Sequence, residues 1–259
     1  MQLLLINPTL VAGAHETNLA TLRDVVAPFR GRLGPSDLAL LPEHHYFGPW
    51  EDYVADMREL ALWLGSTLVA GSMHRQVEST SINTGAVFSS EGAVVTLFEK
   101  IRPYASEREH VSPGSGSGQF SASGRRVRVM ICADFWFTDL LVNQPLPDLV
   151  LVPALSVTRK PTPEYSRALW RHTAVARAYE YGVFVGISDW SADSVLPRQR
   201  TSGVSGFADP TPTDPEQLFH RVETAALIEL DFSRLDAFRA DRSARGFYWG
   251  GPPGEGSVR

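Results

Sequence analysis

The chain opens on Gln2-Leu3-Leu4-Leu5-Ile6, an apolar run closed by Asn7-Pro8, and similar runs recur between longer stretches of mixed polarity through most of the sequence. Short apolar runs bounded by turn residues mark strands, and the longer amphipathic stretches mark helices. On this pattern, strands are predicted at 2–6 and 37–41, each followed by a helix, near 16–29 (opened by Thr17 or Asn18) and near 51–65. Strands follow near 67–72, 83–89 and 93–100, and Ser89-Ser90-Glu91-Gly92 joins the last two as a hairpin. A strand at 126–131, a short helix from about 136, a strand at 148–153 and a longer helix near 163–181 come next, then strands near 183–187, 203–208 and 224–230. This order suits two facing sheets, each covered on its outer side by helices.

Composition narrows the picture. With 259 residues, 43% of them apolar, and no Ser/Gly-rich linker, the sequence predicts a single domain over 1–245. The remainder, 246–259, with Gly250-Gly251-Pro252-Pro253-Gly254, reads as a flexible tail. No apolar run approaches the roughly 20 residues that span a bilayer, and the start is too short before Pro8 to be a secretory signal. A cytoplasmic protein without membrane attachment is expected. The formal charge of −5 argues against a nucleic-acid partner. A lone cysteine excludes an internal disulfide framework and suits a reducing compartment.

That cysteine, Cys132, ends the β-branched run Val127-Arg128-Val129-Met130-Ile131 and precedes Ala133-Asp134. Taken alone, it is either a small buried hydrophobe or a nucleophile placed where a strand turns. Two other strands also end on a charge: Leu38-Ala39-Leu40-Leu41-Pro42 leads into Glu43, and Val94-Val95-Thr96-Leu97-Phe98-Glu99 into Lys100. Each charge alone would ordinarily point into water. Because strand ends converge on ligand sites in sheet proteins, Glu43, Lys100 and Cys132 are candidates for one shared pocket.

Those three residues, in this order and at these spacings, resemble the Glu-Lys-Cys triad of the carbon-nitrogen hydrolases of the nitrilase superfamily. The likeness extends to Leu41-Pro42-Glu43 with Phe47-Gly48, to Gly71-Ser72 and Asn83-Thr84, and to Phe98-Glu99-Lys100 followed by Glu107-Arg108 and Pro113-Gly114. It continues through 149–154, Arg177-Ala178-Tyr179-Glu180 and 204–210 to Ala225-Leu227-Ile228-Glu229-Leu230-Asp231, covering roughly residues 2 to 240. The resemblance implies an α/β four-layer α-β-β-α sandwich (nitrilase-like), two facing mixed sheets covered by helices. It also implies a cysteine-dependent hydrolase of small amide-like substrates, acting without a metal or organic cofactor. Glu43 would be general base and acid, Lys100 would stabilise the oxyanion with the Ala133 N–H, and Glu107, favoured over its near neighbour Glu109 by the spacing to Gly114, would position substrate or orient Lys100.

Ala133-Asp134 after the cysteine is similar to the amidase-like members, whereas relatives that hydrolyse nitriles usually carry Trp-Glu. Phe135 and Trp136 stand where carbamoyl-amino-acid hydrolases carry arginines, so a carboxylate-bearing substrate is not expected. Phe135, Trp136, Tyr104 and His44 are instead candidate residues of an apolar or aromatic substrate wall. Thr138-Asp139 departs from the Pro-Glu of many relatives, and the usual glycine before Val129-Met130-Ile131 is missing, which leaves the subfamily open. His44-His45 face opposite sides of an extended chain and lack the i, i+4 spacing of a helical zinc site, so no metal is expected. Gly114-Ser115-Gly116-Ser117-Gly118 lacks the lysine of a phosphate loop and reads as a flexible surface loop near the pocket. Family members usually pair through helices beside the active site, so a homodimer is expected. A nitrilase acting through a thioimidate, an acyl or amidino transferase and an inactive binding protein remain alternatives.

Overall fold

Leu3 and Leu5 of the first strand point to one side of its sheet and Leu4 and Ile6 to the other, and all four are fully buried. Period-two alternation buried on both faces is what a strand needs when it is packed between two layers, and it explains why these runs are apolar throughout. Leu38 and Leu40 against Ala39 and Leu41, and Val69 and Val87 against Leu68, Ala70, Ala86 and Phe88, divide in the same way.

The computed structural model describes residues 1–116 and 118–247. The first half runs β1 (Gln2–Ile6), α1 (His15–Val26), β2 (Leu38–Leu40), α2 (Trp50–Leu64), β3 (Thr67–Val77), β4 (Thr80–Phe88), β5 (Val94–Glu99) and β6 (Val111–Ser112). It continues with β7 (Gln119–Ala122), β8 (Arg125–Val129), α3 (Thr138–Val142), β9 (Leu149–Pro153), β10 (Val157–Thr158) and α4 (Glu164–Tyr181). The last elements are β11 (Phe184–Ser188), β12 (Arg200–Thr201), β13 (Gly206–Ala208), β14 (Phe219–Arg221), β15 (Ala225–Glu229) and α5 (Phe232–Ala244).

One sheet has the order β15-β1-β2-β3-β4-β5 with β6 beside β4, the other the order β14-β13-β11-β9-β8-β7, and β10 pairs with β12. Both large sheets are mixed: β1, β2 and β3 run parallel, as do β8, β9 and β11, with antiparallel strands at the edges. Leu3, Leu5, Leu40 and Val69 meet Val129, Leu151, Val185 and Ile187 between the sheets. The outer face of the first sheet packs on Leu22 and Val26 of α1 and on Tyr53, Met57, Leu60 and Leu64 of α2. Trp170, Ala174 and Ala178 of α4 are buried against the second sheet. The result is the expected four-layer α-β-β-α sandwich. No helix among the described residues is long and apolar enough to cross a membrane.

Several boundaries differ from the sequence reading. Asn18 caps no helix; it is buried and bonds the Val11 N–H and carbonyl and the His45 carbonyl, tying α1 to the loop after β2. β3 and β4 run longer than predicted because they form a hairpin of their own that projects past the core. The Gly-rich loop is held down: the Ser115 and Gly116 N–H groups donate to the Glu99 carboxylate at 2.8 and 3.0 Å. Of the expected tail, Gly246 and Phe247 fold back on α5, where the Arg242 Nε donates to the Phe247 carbonyl at 3.0 Å. Residues 248–259 lie outside the described residues.

Candidate active site

Glu43 owes its position to a bulge. The register of β3 against β4 shifts between Val69 and Ser72, where Gly71 has a φ of +63°. A Cβ at Gly71 would stand 2.1 Å from the Pro42 carbonyl oxygen, so only glycine lets the chain leaving β2 lie this close. The Tyr53 hydroxyl of α2 donates to the carbonyls of Ala70 and Gly71 and accepts the Ala86 N–H, fixing the bulge from behind. Beyond it, Glu43 bridges to Ser72, and its backbone N–H reaches the Ala154 carbonyl of the other sheet at 3.2 Å. The buried indole of Trp190 donates to the Glu43 carbonyl at 2.7 Å. Glu43 therefore sits on the seam between the sheets.

Its side chain is 1% exposed and fully engaged. Oε1 accepts from Lys100 Nζ at 2.7 Å and from Asn83 Nδ2 at 2.9 Å, and Oε2 accepts the Leu155 N–H at 3.0 Å. Lys100, 2% exposed at the end of β5, also donates to Glu107 Oε2 at 2.6 Å. Glu107 lies in a single 3₁₀ turn, Ala105–Glu109, where it accepts the Tyr104 N–H at 2.9 Å. Its other oxygen meets His44 Nε2 and His74 Nε2, each at 3.2 Å, and Asn83 Nδ2 at 3.0 Å. Asn83 thus bonds both carboxylates with one amide. Burial works against charge on Lys100, but the charges of Glu43, Cys132 and Glu107 outweigh it and raise the ammonium above its ordinary range. Burial opposes charge on Glu107 as well, yet the hydrogen bonds of His44 and His74 and the Lys100 charge hold its carboxyl well below the usual range.

Two buried carboxylates sharing one ammonium make Lys100 a stability element. Lys100→Met is expected to destabilise the fold by about 3–5 kcal/mol, because it leaves buried charge uncompensated. Chemical denaturation at pH 7 measures this; a loss below about 1 kcal/mol would mean that water reaches the pair.

Cys132 opens a 3₁₀ turn, Cys132–Trp136, directly after β8, with a φ of +44° that a non-glycine residue seldom adopts. The strained turn aims the thiol at the loop after β9, where Sγ lies 3.7 Å from the Leu155 carbonyl. Leu155 therefore touches Glu43 through its N–H and Cys132 through its carbonyl. That loop is anchored by the buried Asp189, whose carboxylate accepts the Ser156 and Val204 N–H groups at 2.8 Å and the Ser156 hydroxyl. Burial pushes the thiol well up and the Glu43 charge adds to this, while the Lys100 charge pulls it down. Burial thus favours the protonated sulfur, and the Glu43 carboxylate lies beside it.

Asp134 joins the cysteine turn to the lysine loop. Its buried carboxylate accepts the Ile101 N–H at 2.9 Å and the Arg102 N–H at 2.8 Å. Burial, only partly offset by those two bonds, raises its pKa to about 6. Below that pH the carboxyl is protonated and loses acceptor capacity, so activity is expected to fall as pH drops through about 6. Asp134→Asn, neutral at every pH, should lack that limb and run roughly 10–100-fold slower through a misplaced Lys100. A pH–rate profile of both proteins checks it.

Beside Ala133 lies a cavity of about 640 Å³, bordered by Tyr104, Phe137 and Val111 as well as by arginines. Phe135 does not reach it: this ring is 1% exposed and stacks on Trp170 in the core, with centroids 6.2 Å apart. Trp136 sits edge-on to the same Trp170 at 5.3 Å, away from the cavity lining. The aromatic wall expected from Phe135 and Trp136 is instead supplied by Phe137, because the 3₁₀ turn swings the intervening rings toward α4. Tyr104 and Ala133 do line the cavity, whereas His44 faces Glu107. Asn83, His74, Asp134 and the Leu155 backbone belong to the site without having been singled out. The signal for Asn83 and Asp134 was their place in the segments Asn83-Thr84 and Ala133-Asp134 that carry the family likeness; His74 and Leu155 left none.

His44, His74 and Glu107 bring one ligand-type atom each within 4.8 Å of one another, the set among the described residues able to hold a metal ion. The Lys100 ammonium on the same carboxylate opposes a cation there.

The sequence model of the carbon-nitrogen hydrolases matches residues 6–198. The chain belongs to the carbon-nitrogen hydrolase family. No curated protein matches it. Among solved structures, this carbon-nitrogen hydrolase superposes on XC1258 from Xanthomonas campestris, described as a CN-hydrolase superfamily protein with an arsenic adduct in the active site, with a TM-score of 0.79 and 20% identity over 98% of this chain and 99% of that one. Nit3 of Saccharomyces cerevisiae, a member of branch 10 of the nitrilase superfamily, gives 0.77 and 19% over 93% of each chain. A cysteine-to-alanine mutant of the Nesterenkonia sp. AN1 amidase in complex with butyramide gives 0.75 and 18% over 95% and 96%. At such identities the likeness establishes the nitrilase-superfamily fold, two mixed sheets between helices.

Proposed function

We propose that this carbon-nitrogen hydrolase is amidase-like and cleaves a small non-peptide amide through a thioester on Cys132. The observation that carries the reading is the meeting of a neutral buried thiol, a buried carboxylate and a buried ammonium on the Leu155 loop. As Sγ attacks the amide carbon, Glu43 takes its proton and a C–S bond forms. Lys100 and the Ala133 N–H stabilise the oxyanion. Glu43 then gives its proton to the nitrogen, the C–N bond breaks, and ammonia or an amine leaves. Water, deprotonated by Glu43, attacks the thioester and returns the thiol and a carboxylic acid. Glu107 holds Lys100 in place, and His44, His74 and Asn83 hold Glu107. The chain's own groups complete this cycle without a metal or organic cofactor. The active form is proposed to be a homodimer in a reducing, cytoplasm-like compartment.

Incubation with small amides, carbamoyl compounds and nitriles, following ammonia release and intact mass, tests the proposal. Ammonia from amides together with a trapped acyl adduct on Cys132 is expected. Ammonia from nitriles alone would replace this reading by a nitrilase, and an added amine that enters the product would replace it by a transferase.

A further inference from the structure

We infer that His44, His74 and Glu107 form a reversible, inhibitory binding site for Zn²⁺, an ion that the reaction itself does not use. The neighbours His44 and His45 cannot share an ion, because His44 turns to Glu107 while His45 is buried against the Pro42 carbonyl. His44 and His74 can, since they come from different strands: His44 follows β2 in a left-handed turn with a φ of +55°, and His74 lies on β3 opposite Asn83. Their rings meet edge to face with centroids 4.4 Å apart, and both Nε2 atoms face the same oxygen of Glu107.

The spacing suits coordination. Zinc takes imidazole nitrogen and carboxylate oxygen at about 2.0–2.2 Å in a tetrahedron, which sets neighbouring donor atoms roughly 3.3 Å apart. Each Nε2 stands 3.2 Å from Glu107 Oε1, and the three atoms lie within 4.8 Å of one another. Two imidazoles and one carboxylate form a donor set that favours zinc over magnesium or calcium. The His44 and His74 side chains are 14% and 33% exposed, so water reaches the fourth position.

The hydrogen bonds among these groups also compete with one another. Glu107 Oε1 is approached by His44, His74 and the Asn83 amide, three donors for two lone pairs. His44 Nε2 is in addition 3.3 Å from that amide, Asn83 Nδ2. Carrying a proton, it meets the amide N–H; without one, its lone pair meets that of the carboxylate. An ion held between the two rings and Oε1 gives all three ligand atoms a cation to point at.

Lys100 opposes a cation at this place without forbidding it. Its ammonium bonds the other oxygen of Glu107, Oε2, at 2.6 Å, which leaves Oε1 free to ligate, and the carboxylates of Glu43 and Glu107 outnumber its single charge. The opposition also sets the consequence. An ion on Oε1 draws negative charge away from Lys100 and displaces the Asn83 amide that ties Glu107 to Glu43, so occupancy slows turnover. The slowing rests on the hydrolase reading; the binding of the ion does not.

The test is calorimetric titration of Zn²⁺ into metal-free, tag-free Cys132→Ala protein, in which no thiol can take the ion. One ion per chain is expected. Adding His74→Ala or, as a second variant, His44→Ala should weaken binding by about 100-fold or more, at or beyond the upper range for losing a group that merely supports a ligand. Circular dichroism checks that each variant is folded. No saturable binding to Cys132→Ala, or binding that folded His74→Ala and His44→Ala leave unchanged, overturns the inference. In the wild type, saturating Zn²⁺ should lower amide turnover roughly tenfold or more, the scale of a displaced catalytic group, and chelation should restore it. Undiminished turnover with the ion bound, or the same fold-inhibition in His74→Ala as in wild type, refutes the inhibitory role. If no amide is hydrolysed, the hydrolase reading fails separately and the calorimetry still decides the site.

Discussion

Cys132→Ala is expected to lower turnover of any accepted amide by roughly 10⁴–10⁶-fold, the scale of losing a covalent nucleophile. No other thiol exists in the chain. Glu43 and Lys100 remain in the variant, but with the sulfur gone they have only water to activate, and no C–S bond can form. The fold should survive, because the side chain removed is small and its polar contacts are confined to the Leu155 carbonyl at 3.7 Å and the neighbouring Glu43 carboxylate. A stability change of about 1 kcal/mol or less is expected, the scale of an ordinary point substitution. Ammonia release beside a thermal melt reads both quantities. Residual activity within about tenfold of wild type, in a variant that melts normally, would remove Cys132 from the mechanism.

Glu43→Gln should separate two properties that usually move together. Turnover is expected to fall roughly 10²–10⁴-fold, the range for loss of a general acid–base group. Alkylation of Cys132 by iodoacetamide at neutral pH should nevertheless become faster. Burial raises the thiol first and the Glu43 charge second, against the pull of Lys100. Glutamine removes the second influence and leaves the third, so more thiolate is present at a given pH. The single amide oxygen can replace Oε1 and keep the Lys100 and Asn83 contacts, or replace Oε2 and keep the Leu155 N–H, but not both, so some loss of order at the site accompanies the change. Circular dichroism separates faster alkylation of a folded protein from exposure by unfolding. Lost turnover with unchanged or slower alkylation of the folded variant would mean that Glu43 does not act on the thiol.

Much of this architecture was legible because burial on both faces leaves a strong imprint. Strands such as Leu3-Leu4-Leu5-Ile6 and Leu149-Val150-Leu151-Val152 have no polar alternative for their side chains, and their positions were predicted within a residue or two. The edge strands β7 and β14 were missed because one side of each is solvated, so Gln119-Phe120-Ser121-Ala122 and Phe219-His220-Arg221 carry little pattern. α5 was missed for the same reason: apart from Phe232, Leu235 and Arg242 its residues are largely exposed.

At the site, Glu43, Lys100 and Cys132 stood out as charges or a thiol closing apolar runs and Glu107 through the family resemblance alone, and the structure brings all four together. What the sequence could not supply was direction. Whether Phe135 or Phe137 faces the cavity depends on the pitch of one short turn, and the part played by Leu155 is entirely backbone, which leaves no trace in side-chain identity. The three arginines that border the cavity, Arg102, Arg108 and Arg159, come from turns with no pattern of their own.

The placement of Glu43 on the seam between the sheets also bears on when the chain becomes competent. Its carboxylate is held by a residue 112 positions further on, Leu155, and its carbonyl by one 147 positions further on, Trp190. Contacts this distant in sequence carry loop-closure entropy and form late in folding. During synthesis the growing chain displays Glu43, Lys100, Glu107 and Cys132 well before Trp190 has been made. A nascent or half-folded molecule thus holds a complete set of reactive groups not yet aligned, and its thiol has no catalytic partners until the second sheet docks.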